Sequence, residues 1–508
     1  MNKLTEYTER LCEISARLKK YGEMASIAQY DMTATAPAGA AARRGELLAF
    51  IHEQPRHLLL SPQTIETVRF LSEEENLSQL DDRMAGELRI YRRRIDAVTG
   101  VPEKLLSELS VLTQTTEQLW IGCKHTGEYG QLRKNLARII ALQKEVAKCR
   151  VAAQNRQAPA HPLDPIIDET DAGMTVEKLT ILFDEIRRRT VPLLRKITES
   201  GYMPDTGFVA SGCPETVQRR IAWQLLEKIG YSSRYGIVGS GEHPCTYGVN
   251  RWDVRFTDHF YEDNLLKGTI SAMHEGGHGL YEMNVGPELA DLLVGSGSHG
   301  AMHESSSRFW ENIIGRSLPF WEFAAPVFIR ETGLDGVTPE MFWQAVNLVK
   351  PGPVRIYADE LSYNLHIMMR FELEKQLFDG SLSVDGLDDA WDALSQEYLG
   401  VRPQKPAEGW AQDMHWPAGM FGYFQSYTLG NLYSAQIAAH LRKQMPDFDD
   451  LVRRGEFDPI RQWLTENWYR YGQIYTNEQL LDKMTGEPLK AGYLCDYLEE
   501  KFGRLYSL

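Results

Sequence analysis

His274-Glu275-Gly276-Gly277-His278 places two imidazoles four residues apart, with a carboxylate beside the first. On a helix, positions i and i+4 share one face. Two imidazoles held that way can bind one Zn²⁺, and the adjacent glutamate can reach a water on the metal. Six of the thirteen histidines (His243, His259, His274, His278, His299 and His303) fall within this stretch of the chain, so the chemistry is concentrated there. A catalytic zinc takes three protein ligands and keeps a fourth position open. The extended pattern HExxHxxGxxH would supply a third histidine, but Tyr281 and Asn284 occupy its last two fixed positions and exclude that class. The third ligand must come from elsewhere, and Glu282, Glu288, Asp291, His299, His303 and Glu304 are the candidates. Glu282 lies too far along the helix to close a tetrahedron. Glu304 is 30 residues after His274 and opens a second helical pattern, Glu304 to Ile314. A hairpin of two helices would return it to the metal.

Gly295-Ser296-Gly297-Ser298-His299-Gly300 matches GxGxxG. A dinucleotide site needs a strand before that motif and a helix after it, within a βαβ unit. The preceding Pro287–Leu293 segment reads as helix, so these glycines are expected to form an interhelical loop.

The motif itself is flanked at helical spacing by Leu265, Leu266, Ile270 and Met273 before it, and by Leu280 and Met283 after it. Gly276 and Gly277 weaken that helix by about 1 kcal/mol each relative to alanine. Their missing side chains would let substrate or another backbone approach. Upstream, Leu106, Leu109, Leu112, Leu119 and Trp120 predict a helix with Pro102 in its first turn. Further helices are expected from Leu132 through Val146 and from Val176 to Leu194. Gly236–Gly239 and Asp253–Thr257 are richer in glycine and β-branched residues, which predicts a small β element near residues 236–258. The expected fold class is mainly α. With no linker, low-complexity tract or internal repeat, the chain is expected to form one domain over 1–508. Its first 200 residues would be a helical part, and 201–508 the part carrying the zinc site.

Composition is ordinary for a globular protein: 508 residues, 43% hydrophobic and 25% charged. Acidic residues outnumber basic ones, 70 to 55, for a net charge of −15. That balance disfavours duplex DNA or an anionic membrane as partner. The basic runs Arg92–Arg94 and Arg187–Arg189 read as solvated or salt-bridged helix faces. Six scattered cysteines, none in CxxC, point to reduced thiols and a cytoplasmic location. The first residues do not read as a signal peptide, and no run approaches the ~18 apolar residues of a membrane span.

His274–His278 together with His303-Glu304-Ser305 resembles the thermostable carboxypeptidase (carboxypeptidase Taq) family of zinc metallocarboxypeptidases. Other segments agree in order. His243-Pro244 resembles the family's His-Pro-Phe, and Asp253-Val254-Arg255-Phe256-Thr257 its DxRxT. Val354-Arg355-Ile356-Tyr357-Ala358-Asp359 resembles its [IV]RxxAD, and Gly409–Trp416 its GxxQDxHW. Cys245 replaces the phenylalanine of the first, and Ser306 stands where glutamine often follows His-Glu-Ser. The resemblance implies a helical fold with a long substrate groove, a homodimer, and Glu304 as third ligand to one Zn²⁺ per chain. Cobalt is expected to substitute, because nitrogen–oxygen donor sets discriminate weakly among divalent ions.

The implied reaction is removal of single residues from the free C-terminus of peptides, with Glu275 as general base. Related helical zinc peptidases stabilise the oxyanion with a histidine and a tyrosine, which the resemblance places at His415 and Tyr423, with Tyr427 as rival. A free carboxylate is best bound by an arginine fork. Arg355, after the Pro351-Gly352-Pro353 turn, is the first candidate and Arg255 the second; ion pairing to Asp359 or Asp253 is the competing role. His243 and His303 are expected to orient metal ligands. Competing functions are an endopeptidase or dipeptidyl carboxypeptidase with the same zinc chemistry, and a helical binding scaffold without catalysis.

Overall fold

Apolar residues at three- and four-residue spacing carry most of the chain into helices, as the computed structural model shows for residues 2–154 and 157–508. The Leu106–Trp120 pattern lies in helix Glu103–Thr126. Pro102 is its N-cap, one residue outside the first turn, and the helix ends at Gly127 with φ 77°. The next two predicted helices are Gly130–Ala153 and Val176–Ser200, and they bury Leu132, Leu136, Ile139, Leu179 and Ile186. The arginine run on the second of these is salt-bridged: Arg187 pairs with Asp184 and Glu397, and Arg189 with Asp496 and Glu499.

The β element has three strands: β1 (Gly236–Ser240), β2 (Cys245–Asn250) and β3 (Asp253–Asp258). Their order is β1-β3-β2, with β1 parallel and β2 antiparallel to β3. β3 has the clearest pattern in sequence because it is the central strand, with Val254 and Phe256 fully buried. β2 contains Gly248 and Asn250, which dilute its β signal.

The chain divides into two compact units, each assembled from separate stretches. The first comprises Met1–Ile95, Pro204–Val346 and Tyr433–Pro488; the second comprises Asp96–Met203, Asn347–Leu432 and Leu489–Leu508. The sheet and the HExxH segment belong to the first unit. There the motif lies on helix Lys267–Asn284, and Glu304 on helix Ala301–Arg308, which continues as π-helix through Phe309–Gly315. The segment before the glycine loop corrects the expectation of a helix over Pro287–Leu293. Only Pro287–Leu289 is helical, as one 3₁₀ turn. The amides of Leu293 and Val294 instead donate to the two carboxylate oxygens of buried Glu87, at 2.9 Å each. No helix among the described residues is long and apolar enough to cross a membrane.

Candidate metal centre

The two glycines of the motif let the ligand-bearing helices meet. A Cβ on Gly277 would lie 2.7 Å from Ser307 Cα and 2.8 Å from the Ser306 carbonyl oxygen, so the second helix packs backbone to backbone against the first. Gly276 makes room for Leu226 in the same way. Ser306 locks this approach: its hydroxyl donates to the Gly277 carbonyl at 2.7 Å and lies 2.9 Å from the Tyr469 hydroxyl. The close approach anticipated at the glycines is thus made by another backbone.

Across that contact the side chains of His274, His278 and Glu304 converge, with one donor atom from each lying within 4.8 Å of the others. Glu304 Oε2 is 3.8 Å from His274 Nε2 and 3.5 Å from His278 Nε2. A tetrahedral zinc with bonds of about 2.1 Å has ligand–ligand edges of about 3.4 Å, so the three atoms have the right spread for one ion. The other atoms of these groups are occupied elsewhere. His274 Nδ1 is 2.8 Å from Glu311 Oε2, and His278 Nδ1 is 2.6 Å from His303 Nδ1. Glu304 Oε1 accepts from Arg308 Nε at 2.7 Å. The donor set therefore fits a divalent ion: two imidazole nitrogens and one carboxylate oxygen point at a common centre, and no fourth protein ligand joins them among the described residues.

Electrostatics hold Glu304 and His278 in their ligating forms, carboxylate and neutral imidazole. Burial opposes charge on Glu304, but the Arg308 guanidinium and the two histidines outweigh it and hold the carboxyl well below the usual range. Burial likewise opposes charge on Glu311, and Arg308, His274 and Arg316 hold it ionised. Burial pushes the His278 imidazole down to about 4. His274 moves upward, because the Glu304 and Glu311 carboxylates overcome its desolvation.

Glu275 is 6% exposed, beside the ligands and outside their set. Thr246 on β2 donates its hydroxyl to Glu275 Oε2 at 2.6 Å, which aims the carboxylate. Burial raises its pKa above the ordinary carboxylate value, the direction a general base working near neutrality requires. Cys245 is exposed one residue earlier on β2, its thiol pushed up to about 11 by desolvation and the Glu275 charge. His303 joins the centre through His278, whereas His243 lies exposed between β1 and β2 and contributes its carbonyl to Thr257. Arg255 forks onto Asp253 at 2.7 and 2.6 Å.

The second unit gathers the remaining predicted residues. Gln412 pins the Pro-Gly-Pro turn: its Oε1 accepts from the Arg355 amide at 2.7 Å and its Nε2 donates to the Pro353 carbonyl at 3.0 Å. Asp413 then accepts from Arg355 Nη2 at 2.8 Å and from Arg370 Nη2 at 2.6 Å. Arg355 thus pairs with Asp413, while Asp359 caps helix Glu360–Asp379 through the Ser362 amide. His415 Nε2 is 3.2 Å from the Tyr427 hydroxyl, and its Nδ1 is buried with no hydrogen-bond partner among the described residues. The Tyr423 ring is 5.7 Å from the imidazole. Burial lowers the His415 pKa to about 4, so the ring is neutral.

Sequence reasoning singled out none of Glu311, Arg308, Arg316 and Thr246, and it met Asp413 only as part of the Gly409–Trp416 motif. Glu311 is seven residues beyond Glu304, two turns along one helical face, and that spacing is the one signal that marks it.

Comparisons with known proteins agree with this geometry. The carboxypeptidase Taq (M32) metallopeptidase family matches residues 10–502. The chain is 33% identical to carboxypeptidase 1 of Bacillus subtilis over 99% of both proteins. It is 36% identical to thermostable carboxypeptidase 1 of Thermus thermophilus over 83% of this chain and 84% of that one. The crystal structure of the M32 carboxypeptidase from Deinococcus radiodurans superposes with a TM-score of 0.94 at 31% identity, covering 99% of this chain and all of that one. With its family match over nearly the whole length and its His-His-Glu centre, the chain belongs to the carboxypeptidase Taq (M32) metallopeptidases and is a carboxypeptidase that releases C-terminal amino acids.

Proposed function

We propose that the metal is zinc, one ion per chain held by His274, His278 and Glu304, and that the enzyme removes single residues from peptides with a free C-terminus. The observation that carries this reading is the convergence of two Nε2 atoms and one carboxylate oxygen beside an aimed, buried Glu275. An ion held there supplies Lewis acidity, which makes water acidic near neutral pH and polarises the scissile carbonyl. Glu275 takes the proton of the attacking water as the C–O bond forms and the carbonyl oxygen gains charge, then passes it to the amine as the carbonyl re-forms and the C–N bond breaks. His415 and Tyr423 donate to the developing oxyanion, a contribution typically worth ~3 kcal/mol. The unsatisfied His415 Nδ1 supports this role, because Tyr427 occupies only the other ring nitrogen. Arg355 binds the terminal carboxylate, with Arg255 as the second candidate.

The same reading keeps the chain as one catalytic domain that works as a homodimer in the cytoplasm. The family resemblance supports the dimer, and six free thiols support the location.

The test pairs metal analysis with product ladders. Zinc at about one equivalent per chain is expected, with single-residue ladders from free peptides and none from C-terminally amidated ones. Glu275→Gln should keep its zinc and lose turnover by about 10²–10⁴-fold, the usual contribution of a general base. Equal cleavage of amidated peptides would end the exopeptidase reading, and near-normal turnover of the variant would reject Glu275 as base.

A further inference from the structure

The geometry points to a proton relay, Glu282–His303–His278, that fixes which nitrogen of His278 faces the metal, with the Gly295–Gly300 loop as its clamp. His303 and Glu282 are thereby positioning residues, and the inference rests on the metal-centre reading. His303 Nε2 is 2.9 Å from Glu282 Oε1, and His303 Nδ1 is 2.6 Å from His278 Nδ1. Glu282 Oε1 is already an acceptor, since the Gly297 N–H donates to it, and although burial opposes charge on Glu282 its neighbours move its pKa below the ordinary carboxylate value. A carboxylate can only accept, so His303 Nε2 must carry the hydrogen. In a neutral ring Nδ1 is then bare and can only accept, so His278 Nδ1 must donate. The lone pair of His278 is thereby forced onto Nε2, the atom 3.5 Å from Glu304. A carboxylate one ring away sets the tautomer of a ligand through His303, which extends the usual carboxylate–histidine–metal arrangement by one imidazole.

The glycine loop explains why Glu282 stays in register. The Gly297 amide donates to the same Glu282 oxygen at 3.1 Å. A Cβ on Gly297 would lie 2.9 Å from His303 Nε2, 2.7 Å from its Cδ2 and 3.0 Å from Glu282 Oε1, so only glycine fits over this hydrogen bond. The loop is itself tied down. Lys19 Nζ donates to the Gly295 carbonyl at 3.0 Å, and the Gln473 amide donates to the Val294 carbonyl at 2.9 Å. The GxGxxG pattern that mimics a nucleotide loop is thus a shelf beneath the relay.

The test is zinc affinity, measured by competition with a chromophoric chelator on the full-length protein, with circular dichroism to confirm folding. His303→Leu should bind zinc about 10–100-fold more weakly, the range for loss of a partner behind a ligand. His303→Gln should recover most of that loss: its amide oxygen can accept from His278 while its N–H donates to Glu282, the same polarity across the same 1,3 spacing. Gly297→Ala should weaken zinc in the same direction and keeps the question open if His303→Leu fails to fold. Wild-type affinity in His303→Leu or Gly297→Ala, or His303→Gln as weak as His303→Leu, would overturn the relay. Loss of binding in His278→Ala alongside an unchanged His303→Leu sinks the relay alone. A wild-type protein that binds no zinc sinks the metal centre itself.

Discussion

At the scale of single residues, two arginines compete for the terminal carboxylate, and their neighbours separate them. Arg255 and Asp253 form a neutral pair, with the guanidinium over the Tyr30 ring. Arg355 and Arg370 share one carboxylate, Asp413, so this trio carries one uncompensated positive charge. Desolvation opposes charge on Arg355 and Arg370, but the Asp413 carboxylate holds Arg355 protonated. A site with surplus positive charge is the better receptor for an anion, so Arg355→Lys is expected to raise KM for free peptides by about 10-fold or more, since lysine lacks the planar fork. Arg255→Lys should change KM less than Arg355→Lys does. The reverse ranking in steady-state kinetics would move the carboxylate site to Arg255. From sequence the choice could not be made: both arginines sit in motif segments, and Asp413, the residue that tips the balance, is 58 positions from Arg355.

At the scale of elements, the metal centre depends on how closely the motif helix and the helix carrying Glu304 approach. Gly277 permits that approach, and Ser306 bonds across it. Gly277→Ala places a methyl against the backbone of Ser306 and Ser307, where a flexible side chain cannot yield. Overpacking of this kind costs about 1–3 kcal/mol, and it also pulls Glu304 away from the imidazoles. Both thermal stability and zinc affinity should fall, whereas loss of stability with unchanged zinc affinity would separate the helix contact from the ligand geometry. The two histidines were legible from their i, i+4 spacing, whereas spacing left Glu304 one of six candidates for the third ligand and the family resemblance singled it out. Glu311 and Glu282 were not legible as partners, because a carboxylate behind a ligand has no fixed offset in sequence. The same holds for β2: its pairing with β3 and its Thr246–Glu275 bond arise from tertiary packing, not from local pattern.

At the scale of the whole molecule, the sequence shows helical patterning interrupted by one small β segment and no linker, and the structure has two compact units threaded from six stretches of chain. Periodicity reports which face of a helix is buried, not which other helix covers it, so interleaving of this kind leaves no local mark. All three metal ligands, Glu275 and the Glu282–His303 pair lie in the unit that contains the sheet. The ligands come from two helices that the unfolded chain does not hold together, so zinc should bind the native state and stabilise it by RT ln(1 + [Zn]/Kd), about 2.7 kcal/mol when free zinc is a hundredfold above Kd. Removing the metal with a chelator should therefore lower the melting midpoint, and restoring zinc or cobalt should raise it in proportion to the logarithm of free metal. If calorimetry resolves two transitions, only the one from the unit holding the ligands should move, and in His278→Ala neither should. A midpoint indifferent to metal, in protein that elemental analysis shows to carry one equivalent, would mean that the ion is bound equally well without the native convergence of His274, His278 and Glu304.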